Sequence, residues 1–167
     1  VPTTIAPESL QLGSAQHFVE TAQFGRGRAT GAASSDGADA LLATTTGVFA
    51  SRPASAPGTL ETTLDLPLGD VIMSPSGRSA YLGTDAGNGE LWMVGDEPAL
   101  LARLDDVVSV EFLDDGEALL VATASGVSHL ATDDGSVLTS TEMPDGTAAT
   151  IVAWDPGSGA AFLVAED

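Results

Sequence analysis

Ser74-Pro75-Ser76-Gly77-Arg78-Ser79-Ala80-Tyr81-Leu82-Gly83-Thr84 is the stretch on which the fold turns. A tight Pro-Ser-Gly turn leads into a short apolar run that ends near a threonine. Glycine with polar or proline neighbours is the chemistry that reverses a chain. Working outward, the same kind of turn recurs as Ser35-Asp36-Gly37, Asp114-Asp115-Gly116 and Asp155-Pro156-Gly157. The four turn glycines stand 40, 39 and 41 residues apart. Apolar runs follow each turn at 40–44, 80–84, 118–123 and 161–164, and the first three end in Thr44, Thr84 and Thr123. A constant period of this length is the signature of a repeat architecture.

Each repeat reads as short strands. A first strand precedes the turn, at 29–34, 70–74, 108–113 and 150–154. A third run follows at 47–50, 89–94 and 126–130, and a fourth at 59–66, 99–104 and 136–142. The alternation in Leu60-Glu61-Thr62-Thr63-Leu64-Asp65-Leu66 suits a half-buried antiparallel strand. No window carries an apolar stripe of helical period. Four short strands per repeat of about 40 residues is the pattern of a β-propeller blade. The sequence resembles the β-propeller repeat families, above all the YVTN-like type, through residues 74–84. The resemblance runs over residues 29–167 and implies an all-β fold of four repeats: 29–69, 70–107, 108–147 and a partial 148–167. It departs from WD40 repeats, because Trp154-Asp155 falls at the turn after a first strand. The segment Ala131-Thr132-Asp133-Asp134-Gly135-Ser136 is similar to a degenerate Asp-box, with Val137 and Leu138 where that motif has Thr and Trp.

The last repeat stops after its second strand. Runs at 4–12 and 16–24 could supply the missing strands and close a ring within one chain, treating 1–167 as a single domain. The rival is an incomplete ring, with this chain as half of an eight-bladed dimer or as a fragment of a longer protein. Closure of either kind would cover sheet edges that otherwise invite aggregation.

Composition narrows the function. The 167 residues hold 24 acidic and 5 basic side chains, for a net charge of −19. All the basic residues are arginine. Such a chain is excluded from phosphate-backbone binding, and an anionic membrane repels it. No apolar stretch is long enough to span a bilayer. With no cysteine there is no disulfide, thiolate metal site or thiol nucleophile. Two histidines do not make a histidine-rich metal site. The start at Val1 fits a mature chain after signal cleavage, or one trimmed from something longer, and a secreted or cell-surface location is the expectation.

The repeat register singles out certain residues. In a propeller the joints between a fourth strand and the next first strand lie at one channel mouth. Those joints hold Asp70, Asp105-Asp106 and Asp145, so Asp70, Asp106 and Asp145 are candidate oxygen ligands for Ca²⁺. The loops between second and third strands share that face and carry Asp85, Asn88 and Ser125. Arg26 and Arg28 form the densest basic spot. They are candidate anion ligands, or partners of nearby carboxylates, and Arg26, Arg28, Asp85 and Asn88 together are the candidate ligand-binding residues. Tyr81, the sole tyrosine, lies within a strand and reads as packing. His17 and His129 read as structural, and Trp92 and Trp154 as blade packing. No nucleophile elbow and no phosphate-cradling loop is present. The expected role is a non-catalytic binding or scaffold module with a protein or carbohydrate partner. The alternatives are a sugar or lactone hydrolase or lyase with an Asp-rich metal site, and an assembly subunit that exchanges its N-terminal segment.

Overall fold

The computed structural model describes residues 28–34, 40–51, 58–113, 116–143, 148–155 and 160–166. Among them all regular structure is β-strand. The first sheet contains β1 (Ala29–Ser34), β2 (Ala40–Thr44), β3 (Gly47–Ser51) and β4 (Gly58–Leu60). The second contains β5 (Asp70–Met73), β6 (Ser79–Gly83), β7 (Gly89–Met93) and β8 (Ala99–Leu104). The third contains β9 (Val107–Phe112), β10 (Ala118–Thr123), β11 (Gly126–Ala131) and β12 (Val137–Glu142). A two-stranded sheet of β13 (Ala148–Asp155) and β14 (Ala160–Glu166) follows. Within each sheet every strand pairs antiparallel with the next in sequence, so each complete sheet is a four-stranded meander, or blade.

The turn that set the sequence period has one geometry in two blades. Gly77 and Gly116 both adopt left-handed backbone, at φ 73° and 71°. The Gly77 amide donates to the Ser74 carbonyl at 2.9 Å, and the Gly116 amide to Leu113 at 2.8 Å. Only glycine takes this conformation without steric cost. The turns at 35–39 and 156–159 lie outside the described residues.

The recurrent threonine has a job too. The Thr44 hydroxyl donates to the Gly47 carbonyl at 3.1 Å and accepts from the Thr46 amide at 3.1 Å. Thr123 repeats this with Gly126 and Ser125, at 3.2 and 3.3 Å. Thr84 does so with the carbonyl and amide of Asn88, each at 3.3 Å. A short side chain that bonds its own loop pins the hairpin between second and third strands.

Alternation along the strands then builds the stack. Ala80, Leu82 and Trp92 of the second blade face the first, against Leu41, Ala43, Val48 and Leu60. Tyr81 and Leu91 face the third, against Leu119, Val121 and Leu130. Leu113, Ala118, Leu120 and Ala122 form the opposite face of the third blade, and β13 lies against β9, β10 and β11 of that blade. Each large side chain buried this way contributes about 1.5–3 kcal/mol.

One strand is shorter than its sequence pattern. The run 59–66 reads as a full fourth strand, yet β4 ends at Leu60. Residues 61–68 keep the alternation of exposed and sheltered side chains, but their backbone leaves β3. It crosses to the second blade, where a buried side chain accepts the Thr63 amide and the hydroxyls of Thr62 and Thr63. The N-terminal runs at 4–12 and 16–24 lie outside the described residues.

Candidate functional site

That buried side chain is Glu90, on β7 and wholly shielded from solvent. Period-two alternation puts Glu90 on the same face as Trp92, towards the first blade. Thr62 Oγ1 donates to Glu90 Oε2 at 2.7 Å, and Trp92 Nε1 donates to the same oxygen at 2.9 Å. Thr63 donates to Oε1 twice, from its hydroxyl at 2.5 Å and its amide at 3.2 Å. Burial pushes the carboxyl pKa up, but the bonds from Thr63, Thr62 and Trp92 outweigh it and hold the group below its ordinary value. Glu90 is therefore an anion ligated by neutral donors. Its only cationic neighbour among the described ion pairs is Arg103, whose Nε stands 3.9 Å from Oε1 on a side chain 63% exposed. A pair that long and that wet contributes little.

Around Glu90 the chain forms a cleft of about 270 Å³. One wall is the crossing segment at Thr63, Leu64 and Asp65. The other is the loop carrying Thr84 and Asn88, with Arg103 and Asp105 closing the end. The loop between β6 and β7 is fixed at both of its flanks. Asp85 sits over Gly69, where a Cβ would collide with its carboxylate. Gly87, at φ 81°, accepts from the Val107 amide at 2.8 Å. The joint beside it contains Asp106, which is left-handed at φ 55°.

The residues singled out from the sequence can now be placed. Asp70 opens β5, and Asp70, Asp85, Asn88 and Asp106 are all exposed on this loop face. The β6–β7 loop bridges the joints that hold Asp70 and Asp106. Asn88 lines the cleft. Arg28 precedes β1; its amide donates to Thr45 Oγ1 at 3.1 Å. Arg26 and Asp145 lie outside the described residues, as does His17. Among the described residues no three His, Asp or Glu side chains converge as metal ligands.

Tyr81 packs as its strand position implies. Its ring lies over Gly83 and Gly89, which face each other across β6 and β7. A Cβ on Gly89 would stand 2.5 Å from Tyr81 Cε2. The phenol is pushed up to about 12, by burial first and by the nearby Asp70 charge second. Trp92 packs between blades and also binds Glu90. Glu90 itself went unnoticed in the sequence. Its signal was a carboxylate sharing a strand face with Trp92.

No family model and no curated protein matches the chain. Among solved structures, it is similar to the β-propeller domain of the Trilobed protease from Pyrococcus furiosus, described as having an open velcro topology. The identity is 12% over 74% of this chain and 45% of that one, with a TM-score of 0.50. The chain has a β-propeller fold. The β-propeller domain of Cps50 (Swd1) from Myceliophteria thermophila is similar at 14% identity over 72% of this chain and 45% of that one, TM-score 0.51. KlAtg21, solved with the coiled-coil of AgAtg16, is similar at 10% identity over 80% of this chain and 49% of that one, TM-score 0.57. The chain thus spans about half the length of these propellers. At such identities the likeness shows the fold, and the blades are degenerate copies of a propeller repeat.

Proposed function

We propose that this propeller module is non-catalytic and works outside the cytoplasm as a binding or scaffold surface. The observation that supports this reading is the cleft at Glu90. Its walls are held before any ligand arrives: Thr63 is bonded to Glu90, Asn88 to Thr84, and the loop that carries Asn88 is bonded through Gly87 to Val107. Preorganised walls lower the entropic cost of binding. Its size suits one sugar ring or one amino-acid side chain rather than a larger ligand. Its lining sets the carboxylates of Asp65 and Asp105, with the single cation Arg103, beside the hydroxyl and amide of Thr84 and Asn88, so acceptors outnumber the cation. That chemistry favours a basic side chain of a partner protein, or a hydroxyl-rich carbohydrate. Glu90 and Tyr81 support a structural rather than a chemical role for their own groups. The first is saturated with donors, and the second is covered.

The test uses wild type and two charge reversals, probed on a peptide array of varied net charge and on a glycan array. Asp105→Arg alters the cleft, and Glu97→Arg alters the opposite end of the same blade. Binding to basic peptides or to glycans that Asp105→Arg abolishes and Glu97→Arg retains is the expected result. Turnover of aryl glycosides or lactones by wild type, lost in Asp105→Arg, would replace this reading with the hydrolase or lyase alternative.

A further inference from the structure

The cleft at Glu90 already contains a cation of its own. Arg103, on β8, is the register partner of Glu90 on β7. Residues opposite each other on adjacent strands send their side chains to one face of the sheet. The guanidinium therefore stands beside the Glu90 carboxylate, with Nε 3.9 Å from Oε1. The chain itself shows that a basic side chain fits the space and the charge of this cleft.

Arg103 is held there only loosely. Its side chain is 63% exposed, and 3.9 Å is too long for a hydrogen bond. Among the described residues its side chain makes no other hydrogen bond or ion pair. Glu90 does not depend on it either, because Thr62, Thr63 and Trp92 already donate four bonds to the carboxylate. Arg103 can leave without stranding a polar group.

The lining specifies what would take its place. Three carboxylates, those of Asp65, Glu90 and Asp105, surround the one cation. Neither Asp65 nor Asp105 has an ion-pair partner among the described residues. The net charge of −19 draws cations towards such a site. Leu64, Ala86 and Leu104 add apolar surface, which suits the methylene stem of a long basic side chain. No aromatic ring lines the cleft for a sugar to stack on. Two like charges cannot share the position beside Glu90 without repulsion. We propose, resting on the reading of this cleft as a binding site, that its ligand is a basic side chain of a partner protein, and that this side chain displaces Arg103. Arg103 is then a resident counter-ion that competes with the ligand and sets its affinity.

The test titrates N-acetyl-arginine amide, its neutral citrulline counterpart and methyl glucoside into wild type, Arg103→Gln and Arg103→Lys. NMR follows the Asn88 side-chain amide and, in wild type, the Arg103 Nε–H. The arginine probe is expected to shift both signals in wild type. It should bind Arg103→Gln about fivefold more tightly, the most that an exposed ion pair is worth. Arg103→Lys keeps the charge and should stay at the wild-type affinity, and the citrulline probe should bind none of the three proteins. Arg103 is exposed, so both variants should fold, and the Thr63 amide signal checks that they do. Equal or weaker binding of the arginine probe by Arg103→Gln would overturn the displacement and leave the cleft a binding site. Binding of methyl glucoside in place of the arginine probe would overturn the cationic ligand and leave a carbohydrate site. Shifts from none of the probes would overturn the reading of the cleft as a binding site, and the displacement with it.

Discussion

The two seams of the second blade are built on opposite principles. Towards the third blade the contact is apolar: Tyr81 and Leu91 meet Leu119, Val121 and Leu130. Towards the first blade the apolar contact ends in a buried charge, with Glu90 gathering Thr62, Thr63 and Trp92. The connections explain the difference. The second and third blades are joined by residues 105–106, a joint too short to strand any backbone. The first and second are joined by residues 61–69, which leave the sheet at Leu60 and need partners of their own. Glu90 accepts one of their amides, that of Thr63, and the price of burying its charge is covered by four donors. A propeller seam therefore tolerates a long crossing segment when one blade presents an acceptor to it.

The largest effect should come from the apolar seam. Leu119→Ala is expected to lose about 2–5 kcal/mol in chemical denaturation, with the same loss at neutral and acidic pH. Glu90→Ala should lose about 3 kcal/mol at neutral pH, since hydrogen bonds to a charged group are each worth up to that much. Its loss depends on pH. The folded pKa is depressed, so the stabilisation is present above the ordinary value of 4.5 and disappears as pH falls through the folded value. Wild type and Glu90→Ala should therefore converge in melting temperature on acidification, while wild type and Leu119→Ala stay apart. Two parallel curves for Glu90→Ala would remove the distinction between the seams.

Smaller changes sharpen the apolar side. Gly89→Ala puts a methyl group into the Tyr81 ring and should cost about 1–3 kcal/mol. Gly116→Ala should cost about 1–2 kcal/mol, because its left-handed backbone disfavours a side chain. Its added Cβ would also meet Ser76 Oγ at 3.1 Å, on the neighbouring turn. As the only tyrosine, Tyr81 can be titrated by tyrosinate absorbance without interference. It should ionise near 12 in the folded protein. A raised folded pKa means that stability holds up to the ordinary value of 10 and declines as pH climbs towards 12. Least of all, Arg103→Gln should change stability by under about 1 kcal/mol.

Much of this fold was legible in the sequence, for physical reasons. Gly77 and Gly116 announced turns because left-handed backbone selects glycine, and both adopt it. Thr44, Thr84 and Thr123 recurred because each pins a hairpin through its hydroxyl. The extent of the fourth strand in the first blade was not legible. Alternation in 60–68 reports which side chains are sheltered, and an extended crossing segment shelters them just as a strand does. Glu90 was missed for a related reason. A carboxylate in a strand reads as solvent-facing unless its face is followed to Trp92, and its threonine donors lie 27 and 28 residues upstream. The loop face could be assembled from the register of Asp70, Asp85, Asn88 and Asp106. The cleft could not, because it depends on the path of 61–65.

The Glu90 staple is tested most directly by amide hydrogen exchange at Thr63. This amide lies outside any strand, and its bond runs to a side chain 27 residues away. It should be protected in wild type and exchange like an open loop in Glu90→Ala, with the amides of β10 still protected. Unprotected exchange at Thr63 in the wild-type protein would contradict the account of how the first two blades are joined.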